Sequence, residues 1–344
     1  MSVGVALIGA GIWAREEHLP AVEASKDLVL KAVYSRTLKS AQSISAAVNR
    51  KLDLYTEEGS EGYDAILKRD DIQAIIVSLS INSQPEYIRK ALLAGKHVLS
   101  EKPVAENVKA ADELIKWYRA EIKGATWCIA ENWRFLASYE YGFQQIKSLG
   151  KVLSFSGRQL SSVLPTGKFY LTDWRKNPTH QGGFLLDGGV HYMAGIRKLL
   201  SAQPGSGIDQ VSAFTVLHRD YLPPVDTANV VFKTKSGAVG TFQISVASSA
   251  QVNEWIVDCE KGWIKIEDSK VTIGKDGQIV EETIPNERTG VPPEVRAWGE
   301  SLVAGKVLKE QEPEAALADL ELMELILRSG DSDGQTLSCT HQNV

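Results

Sequence analysis

Three features that mark specialised classes of protein are scarce or missing in this chain: cysteine, long apolar runs and an excess of basic charge. Its 344 residues include only Cys128, Cys259 and Cys339. Odd in number, far apart and in no metal-like spacing, these form neither a disulfide framework nor a zinc site, and no metal is expected. A reducing compartment suits them. The first apolar run, Val3 to Ile8, falls far short of the roughly 20 residues of a spanning helix and lacks the basic flank of a secretory leader. Lys and Arg number 38 against 43 Asp and Glu, a net charge of −5 with no cationic cluster. That balance argues against nucleic acid and anionic membranes as partners. The C-terminal residues His341-Gln342-Asn343-Val344 match no peroxisomal or retention address. These absences predict a cytoplasmic protein. Internal repeats and low-complexity tracts are also missing.

What is present is an ordinary globular composition, 43% hydrophobic and 24% charged, over a length that favours two domains. The first third alternates short apolar runs (Val3–Ile8, Leu28–Tyr34, Ala74–Ser78, His97–Ser100, Trp127–Ala130) with helical spacing over Thr37–Val48, Gln84–Ala94 and Val108–Glu121. That alternation predicts a doubly wound parallel sheet wrapped by crossover helices, with Gly95 and Gly124 where helices end. Beyond about residue 150 the runs lengthen and alternate: Val152–Leu160, Val211–His218, Ala228–Thr234, Ala238–Val246, Glu254–Glu260 and Trp263–Ile266, with turns at Ser236-Gly237 and Lys275–Gln278. The expectation is an α+β domain built on an open, mostly antiparallel sheet, apolar on both faces, so that helices cover one and a second subunit the other. Glu312–Arg328 returns to helical spacing. The predicted boundaries are 1–130, 131–310 and a C-terminal helix over 311–330 that packs back on the first domain; the tail Ser329–Val344 carries only weak periodicity.

Val3–Ile8 runs into Gly9-Ala10-Gly11-Ile12-Trp13-Ala14 and then a helical stretch. This strand, turn and helix suits a dinucleotide: Gly9 permits the tight turn, Gly11 lets the backbone approach a pyrophosphate, and Ala14 lets helix and strand pack closely. A generic strand-to-helix turn would also use glycines. An NAD-preferring site normally carries an acid at the end of the second strand, but this strand ends Tyr34-Ser35-Arg36-Thr37, with Lys39 one turn on. A hydroxyl, a guanidinium and an ammonium there suit a 2′-phosphate, so the expected cofactor is NADP(H).

Glu101-Lys102-Pro103 closes the strand His97–Ser100 and places Lys102 at the carboxyl edge of the parallel sheet, where ligands of such folds bind. In Gly182-Gly183-Phe184-Leu185-Leu186-Asp187-Gly188-Gly189-Val190-His191, Asp187 and His191 are four apart; on a helix starting near Gly188 they share a face. A Lys, an Asp and a His beside a nicotinamide form a competent proton-transfer set. Taken singly, Lys102 could be a surface lysine, His191 a helix histidine satisfied by a carbonyl, and Asp187 an N-cap. Tyr170, Asp173, Trp174 and Arg175, with His180, lie just upstream as candidates for a substrate pocket, although core packing is the commoner fate of Trp.

Together the glycine turn, Glu101-Lys102-Pro103, Asn132-Trp133-Arg134-Phe135 and Asp187…His191 resemble the Gfo/Idh/MocA family, which includes glucose-fructose oxidoreductase and inositol dehydrogenase. The resemblance spans nearly the whole chain, and Gly11 to Pro20 and Ala130-Glu131-Asn132-Trp133 are most similar to its fungal, NADP-linked branch. It implies a Rossmann domain followed by an α+β domain, a homodimer through the second sheet, and a cofactor site drawn from Gly9, Gly11, Ile12, Trp13, Ser35, Arg36, Lys39, Ser78, Ser80, Asn82, Gln84, Glu101, Lys102 and Asn132. By the same resemblance Lys102 polarises the substrate oxygen, His191 leads proton transfer, and Asp187 tunes His191 or binds substrate beside Tyr170, Trp174 and Arg175. The family often has an acid three residues after the histidine; here Ala194 stands there, which leaves the proton carrier open between His191 and Lys102. The function implied is hydride transfer to or from a sugar, polyol or related small carbonyl or hydroxy compound. The competing class is a non-catalytic NADP(H)-binding regulator, which need not keep Lys, Asp and His together.

Overall fold

The computed structural model describes residues 2–59 and 62–342. Its chain divides into two compact units, residues up to Asn132 with Arg288–Ala316, and Trp133–Glu287 with Leu317 onward. No helix among the described residues is long and apolar enough to cross a membrane.

The first unit is built on strands β1 (Val3–Ile8), β2 (Leu28–Ser35), β3 (Asp53–Thr56), β4 (Ala74–Val77), β5 (His97–Glu101) and β6 (Trp127–Ala130). All pair in parallel in the order β3-β2-β1-β4-β5-β6. The near-continuous aliphatic runs follow from this arrangement, since crossover helices cover both faces and β4 is buried throughout. Strand order reverses between β1 and β4, where Ile8 pairs with Val77, which makes the ends of these two strands the switch point where such sheets bind ligands. The helices are α1 (Leu19–Ala24), α2 (Leu38–Ser45), α3 (Tyr63–Leu67), α4 (Gln84–Leu93) and α5 (Val108–Glu121). Thr37 caps α2 and Asn107 caps α5. Gly95, at φ 75°, terminates α4 as expected, while Gly124 lies two residues beyond the cap of α5.

The chain reaches the second unit after Asn132 and returns. Residues of helix α9 (Val291–Ala304) carry an apolar stripe, Val291, Val295 and Trp298, fully buried in the same core as Val5, Leu28 and Leu30. The sequence boundary of 131–310 for the second domain is thereby corrected: helical periodicity shows that α9 buries a face but not which core receives it.

The second unit contains α6 (Ala137–Ile146), α7 (Asp173–Lys176), α8 (Gly183–Leu200) and most of α10 (Pro313–Asp331). Its strands are β7 (Val152–Ser162), β8 (Ile208–Val216), β9 (Thr227–Thr234), β10 (Val239–Ser245), β11 (Ala247–Cys259), β12 (Gly262–Glu267), β13 (Lys270–Lys275), β14 (Gln278–Thr283) and β15 (Leu337–Ser338). They form one nine-stranded sheet, antiparallel except where β10 runs parallel to β7. Alternation is clear on β9, where Ala228, Val230 and Phe232 face inward and Asn229, Val231 and Lys233 outward. On the outward side Phe214, Val231 and Val239 stay exposed. Asp276 and Gly277, both with positive φ, close the two-residue turn predicted between β13 and β14.

The C-terminal helix, expected to pack on the first domain, divides between the units: its residues up to Ala316 go with the first, where Glu314 accepts from Arg119 Nε of α5 at 2.7 Å. From Leu317 onward α10 belongs to the second unit, and Met323 lies so close over α8 that a Cβ on Gly189 would sit 2.5 Å from its methyl carbon. A buried polar cluster ties it down. Asp319 accepts from Arg134, and from Arg197 Nη1 at 2.5 Å. Glu321 accepts from Thr340 Oγ1 at 2.7 Å, the His341 amide at 3.0 Å and Gln342 Nε2 at 2.9 Å. The weakly periodic tail is therefore ordered through Gln342, by hydrogen bonds that leave no periodic trace; Asn343 and Val344 lie outside the described residues.

Burial opposes the charged form of Glu321, but hydrogen bonds from Gln342, Thr340 and His341 outweigh it and hold the carboxyl below the ordinary range. A carboxyl depressed on folding stabilises the protein above the unfolded value of about 4.3, and the contribution is lost as pH falls through the folded value. Glu321→Gln should lower Tm at pH 7 and flatten the fall in Tm between about pH 5 and pH 3; a pH series of thermal melts checks this.

Candidate active site

In the first unit the glycine turn is fixed from both sides. Gly9 has φ 107°, and a Cβ there would lie 2.1 Å from the Ser78 carbonyl oxygen, so no other residue fits. Its amide donates to the Tyr34 carbonyl at 2.9 Å, and the Ser78 amide donates to Ile8 at 2.8 Å, which draws the ends of β2, β1 and β4 together. Gly11 is the opposite case: it is exposed, and nothing lies within 4 Å of the place a Cβ would take. The backbone there can be approached closely, which fits a pyrophosphate at a helix start. Ile12 opens that helix, Ala14 is buried against the sheet, and Trp13 packs with Ala10 on the core.

At the end of β2, Ser35 is half-buried and Arg36 and Lys39 are exposed. The acid missing from this strand arrives from elsewhere: the Leu38 amide, first in α2, donates to Glu58 Oε2 at 3.0 Å. Nothing near Ser35-Arg36 in the sequence marks Glu58, because the contact joins two crossovers. An open depression of about 510 Å³, lined by Tyr34, Glu57, Tyr63, Tyr87, Lys68 and Lys90, contains none of the sequence-predicted site residues.

Of the residues after β4, Ser78 and Ser80 are half-buried and Asn82 is exposed, with Ser80 Oγ 2.9 Å from Ser83 Oγ. Gln84 is 2% exposed, so it lies beneath this edge and not on it. Asn132 is also buried, and its Nδ2 donates to the Thr289 carbonyl at 2.5 Å, so its amide anchors the returning segment. Lys102 follows the last residue of β5 and is half-buried.

Sequence reasoning missed two buried polar residues on the helix that leaves the glycine turn. Ala14–His18 form a single π-turn, in which the Leu19 amide donates to the Ala14 carbonyl. Glu17 accepts from Arg288 Nη2 at 3.0 Å and Thr289 Oγ1 at 2.7 Å. His18 Nε2 lies 2.6 Å from Glu101 Oε1. The signal was available in the helical spacing, since Ala14, His18, Ala21 and Val22 form one buried stripe.

In the second unit, Asp187 and His191 both lie on α8, four residues apart. The helix begins at Gly183, five residues before the expected start, so Asp187 is not an N-cap. The early start follows from the glycine pair: Gly182 has φ 71°, and a Cβ on Gly183 would be 2.3 Å from the Pro223 carbonyl oxygen. Asp187 is buried and accepts from Arg175 Nε at 2.8 Å. Arg175 in turn lies over Trp174, 4.0 Å from its centroid. His191 is half-buried, with its ring stacked on Trp133 at 5.9 Å and 17°. Tyr192 meets the same indole edge-on at 5.1 Å; burial, then the Asp187 charge, pushes its phenol up to about 12. Asp187, Arg175 and Trp174 thus form one contacting group, and His191 with Trp133 and Tyr192 a second, one turn further along α8.

Of the other candidates, His180 has its ring 5.8 Å from that of Trp174. Tyr170 is packed in a small core with Phe184, Leu222 and Val246, which corrects its placement in the substrate set: an aromatic between apolar neighbours packs before it binds. His180 is buried with Nε2 3.4 Å from the Gly183 carbonyl, and Asp173 is exposed.

The chain matches a family model described as an oxidoreductase family with an NAD-binding Rossmann fold over residues 3–125, and one described as a GFO/IDH/MocA C-terminal domain over residues 145–265. A dehydrogenase designated FPY6 from Fusarium mangiferae is 36% identical over 343 residues, covering 96% of this chain and 97% of that protein. A dTDP-3,4-didehydro-2,6-dideoxy-alpha-D-glucose 3-reductase from Streptomyces antibioticus is 30% identical over 62% of this chain and 60% of its own. The crystal structure of an oxidoreductase from Thermotoga maritima superposes with a TM-score of 0.88 at 27% identity, over 98% of each chain. With its glycine turn, its Glu101-Lys102-Pro103 strand end and matches in both units, the chain belongs to the Gfo/Idh/MocA family of oxidoreductases.

Proposed function

We propose that this chain is an NADP(H)-dependent dehydrogenase or reductase of a sugar, a polyol or a related small carbonyl or hydroxy compound. The observation that carries the reading is the open backbone at Gly11, at the switch point of a parallel sheet whose β5 ends on Lys102. The sugar reductase among the relatives supports the substrate class. The nicotinamide cofactor, when bound, supplies or accepts the hydride. Gly9 and Gly11 shape the pyrophosphate site, with Ile12 and Trp13 opening the helix behind it. Ser35, Arg36 and Lys39 hold the 2′-phosphate. Ser78, Ser80 and Asn82 edge the ribose.

In the reducing direction the substrate carbonyl carbon gains a hydride and its oxygen gains a proton. Lys102 donates a hydrogen bond to that oxygen and stabilises the charge developing on it. His191 transfers the proton, its ring held parallel to Trp133. Asp187, fixed by Arg175, orients substrate hydroxyls beside Trp174. The three free cysteines fit a reducing, cytoplasmic setting. The exposed Phe214, Val231 and Val239 on the outward side of the second sheet fit a homodimer through that sheet.

Three measurements test this. With a panel of aldoses, ketoses and small carbonyls, Lys102→Met and His191→Asn should each lower kcat/KM of NADPH oxidation by about a hundredfold or more; unchanged values in both remove them from the chemistry, and tight NADPH binding without turnover of any panel member favours the regulator. Arg36→Ala should raise the Kd for NADPH by about tenfold and leave that for NADH within about twofold, whereas a wild-type preference for NADH overturns the cofactor assignment. Light scattering should give a dimer, and Phe214→Asp should shift it to monomer; a monomeric wild type refutes the assembly.

A further inference from the structure

His18 is a buried polar group that the proposed chemistry does not use. Its side chain is fully buried; Nε2 lies 2.6 Å from Glu101 Oε1, and Nδ1 is buried with no hydrogen-bond partner in the protein. A ring with one nitrogen against a carboxylate and the other bare has its proton on Nε2, so Nε2–H donates to Glu101. Such an arrangement is poor value as a stabiliser. A buried nitrogen left without a partner costs free energy, and apolar side chains of similar volume generally replace buried ion pairs without loss.

The backbone is also shaped to bring His18 there. Successive residues of a regular α-helix point about 100° apart, so a widened turn changes which neighbours face inward. In the π-turn Ala14–His18 both Glu17 and His18 are buried, Glu17 bonded to Thr289 and Arg288 and His18 to Glu101. Single π-turns occur frequently at functional sites.

What His18 reaches is the last residue of β5, and Lys102 is the next residue. On its other side Glu101 pairs with Ala130 of β6, so the sheet fixes the strand end while His18 holds the carboxylate. A glutamate beside a lysine, in a site shielded from water, attracts the ammonium; one engaged by an imidazole N–H is held to the helix side.

We propose that His18 is a positioning residue for Lys102: by holding the Glu101 carboxylate against the helix of the glycine turn, it keeps that carboxylate from drawing the Lys102 ammonium away from substrate. The inference rests on the reading that Lys102 polarises the substrate oxygen. It couples the two sites of the first unit, because the helix that opens at the phosphate turn also sets the group that acts on substrate.

The test compares His18→Gln, whose amide N–H can reach Glu101, with His18→Leu, which has no donor, each alone and in the Lys102→Met background. His18→Leu should lower kcat by about thirtyfold with KM for NADPH within about threefold, and His18→Gln should restore kcat to within about threefold of wild type. In the Lys102→Met background His18→Leu should have no further effect, as expected of two residues acting through one group. A readout without turnover is the NMR titration of reductively ¹³C-methylated protein, with the Lys102 signal assigned by its loss in Lys102→Met. Its midpoint should rise by about half a unit or more in His18→Leu and stay at the wild-type value in His18→Gln. Equal midpoints and equal kcat in wild type and both variants overturn the proposal, as does a loss in His18→Leu that adds in full to that of Lys102→Met. Full activity in Lys102→Met alone sinks the underlying reading of Lys102 instead, and the titration still reports whether His18 governs its ammonium.

Discussion

The close approach of Gly9 to the Ser78 carbonyl is the constraint on which the first unit depends. A single added carbon 2.1 Å from that oxygen would force β1 and β4 apart at their ends, where strand order reverses. The same turn points the next helix across the sheet, and that helix carries Ala14, Glu17 and His18 on its buried face. Backbone proximity at one glycine thus places the turn before this helix and aims two polar side chains, at the returning segment and at the end of β5.

Polar side chains fix position in both units where apolar packing alone would leave freedom to slide. In the second unit Asp319 is shared between Arg134 and Arg197, and Glu321 gathers the amides and side chains of Thr340 to Gln342. Buried charges of this kind are weak sources of net stability, but they are demanding about geometry, since moving one partner leaves another unsatisfied. The α10 register and the path of the tail are therefore set by hydrogen bonds, while Met323 and its aliphatic neighbours supply the burial.

How much of this was legible in the sequence differs by the kind of signal. Aliphatic strands such as β1, β4 and β9 announce themselves, because burial on two faces or on one leaves a distinct pattern. The short edge elements β3 and α3, at four and five residues, give too few periods to read. Periodicity located α9 and α10 but could not name the core each serves. The start of α8 was misjudged because glycines were read as punctuation near Gly188, whereas the turn lies at Gly182-Gly183, pressed against Pro223. In the candidate site, Lys102, Asp187 and His191 were found by spacing and by resemblance. The contacts around them, Arg175 on Asp187, Trp133 on His191 and His18 on the neighbouring Glu101, were not assigned as such, because each depends on the tertiary path.

The return of Arg288–Ala316 to the first unit has a consequence for biosynthesis. Trp298, Val295 and Val291 belong to the core that the first six strands begin, yet all of Trp133–Glu287 is translated before them. At roughly 5–20 residues per second, the nascent dinucleotide-binding sheet waits on the order of ten to thirty seconds with its α9 docking face uncovered. A ribosome that stalls within the second unit leaves a first unit lacking a wall of its core, so this fold places its most vulnerable interval in the middle of translation.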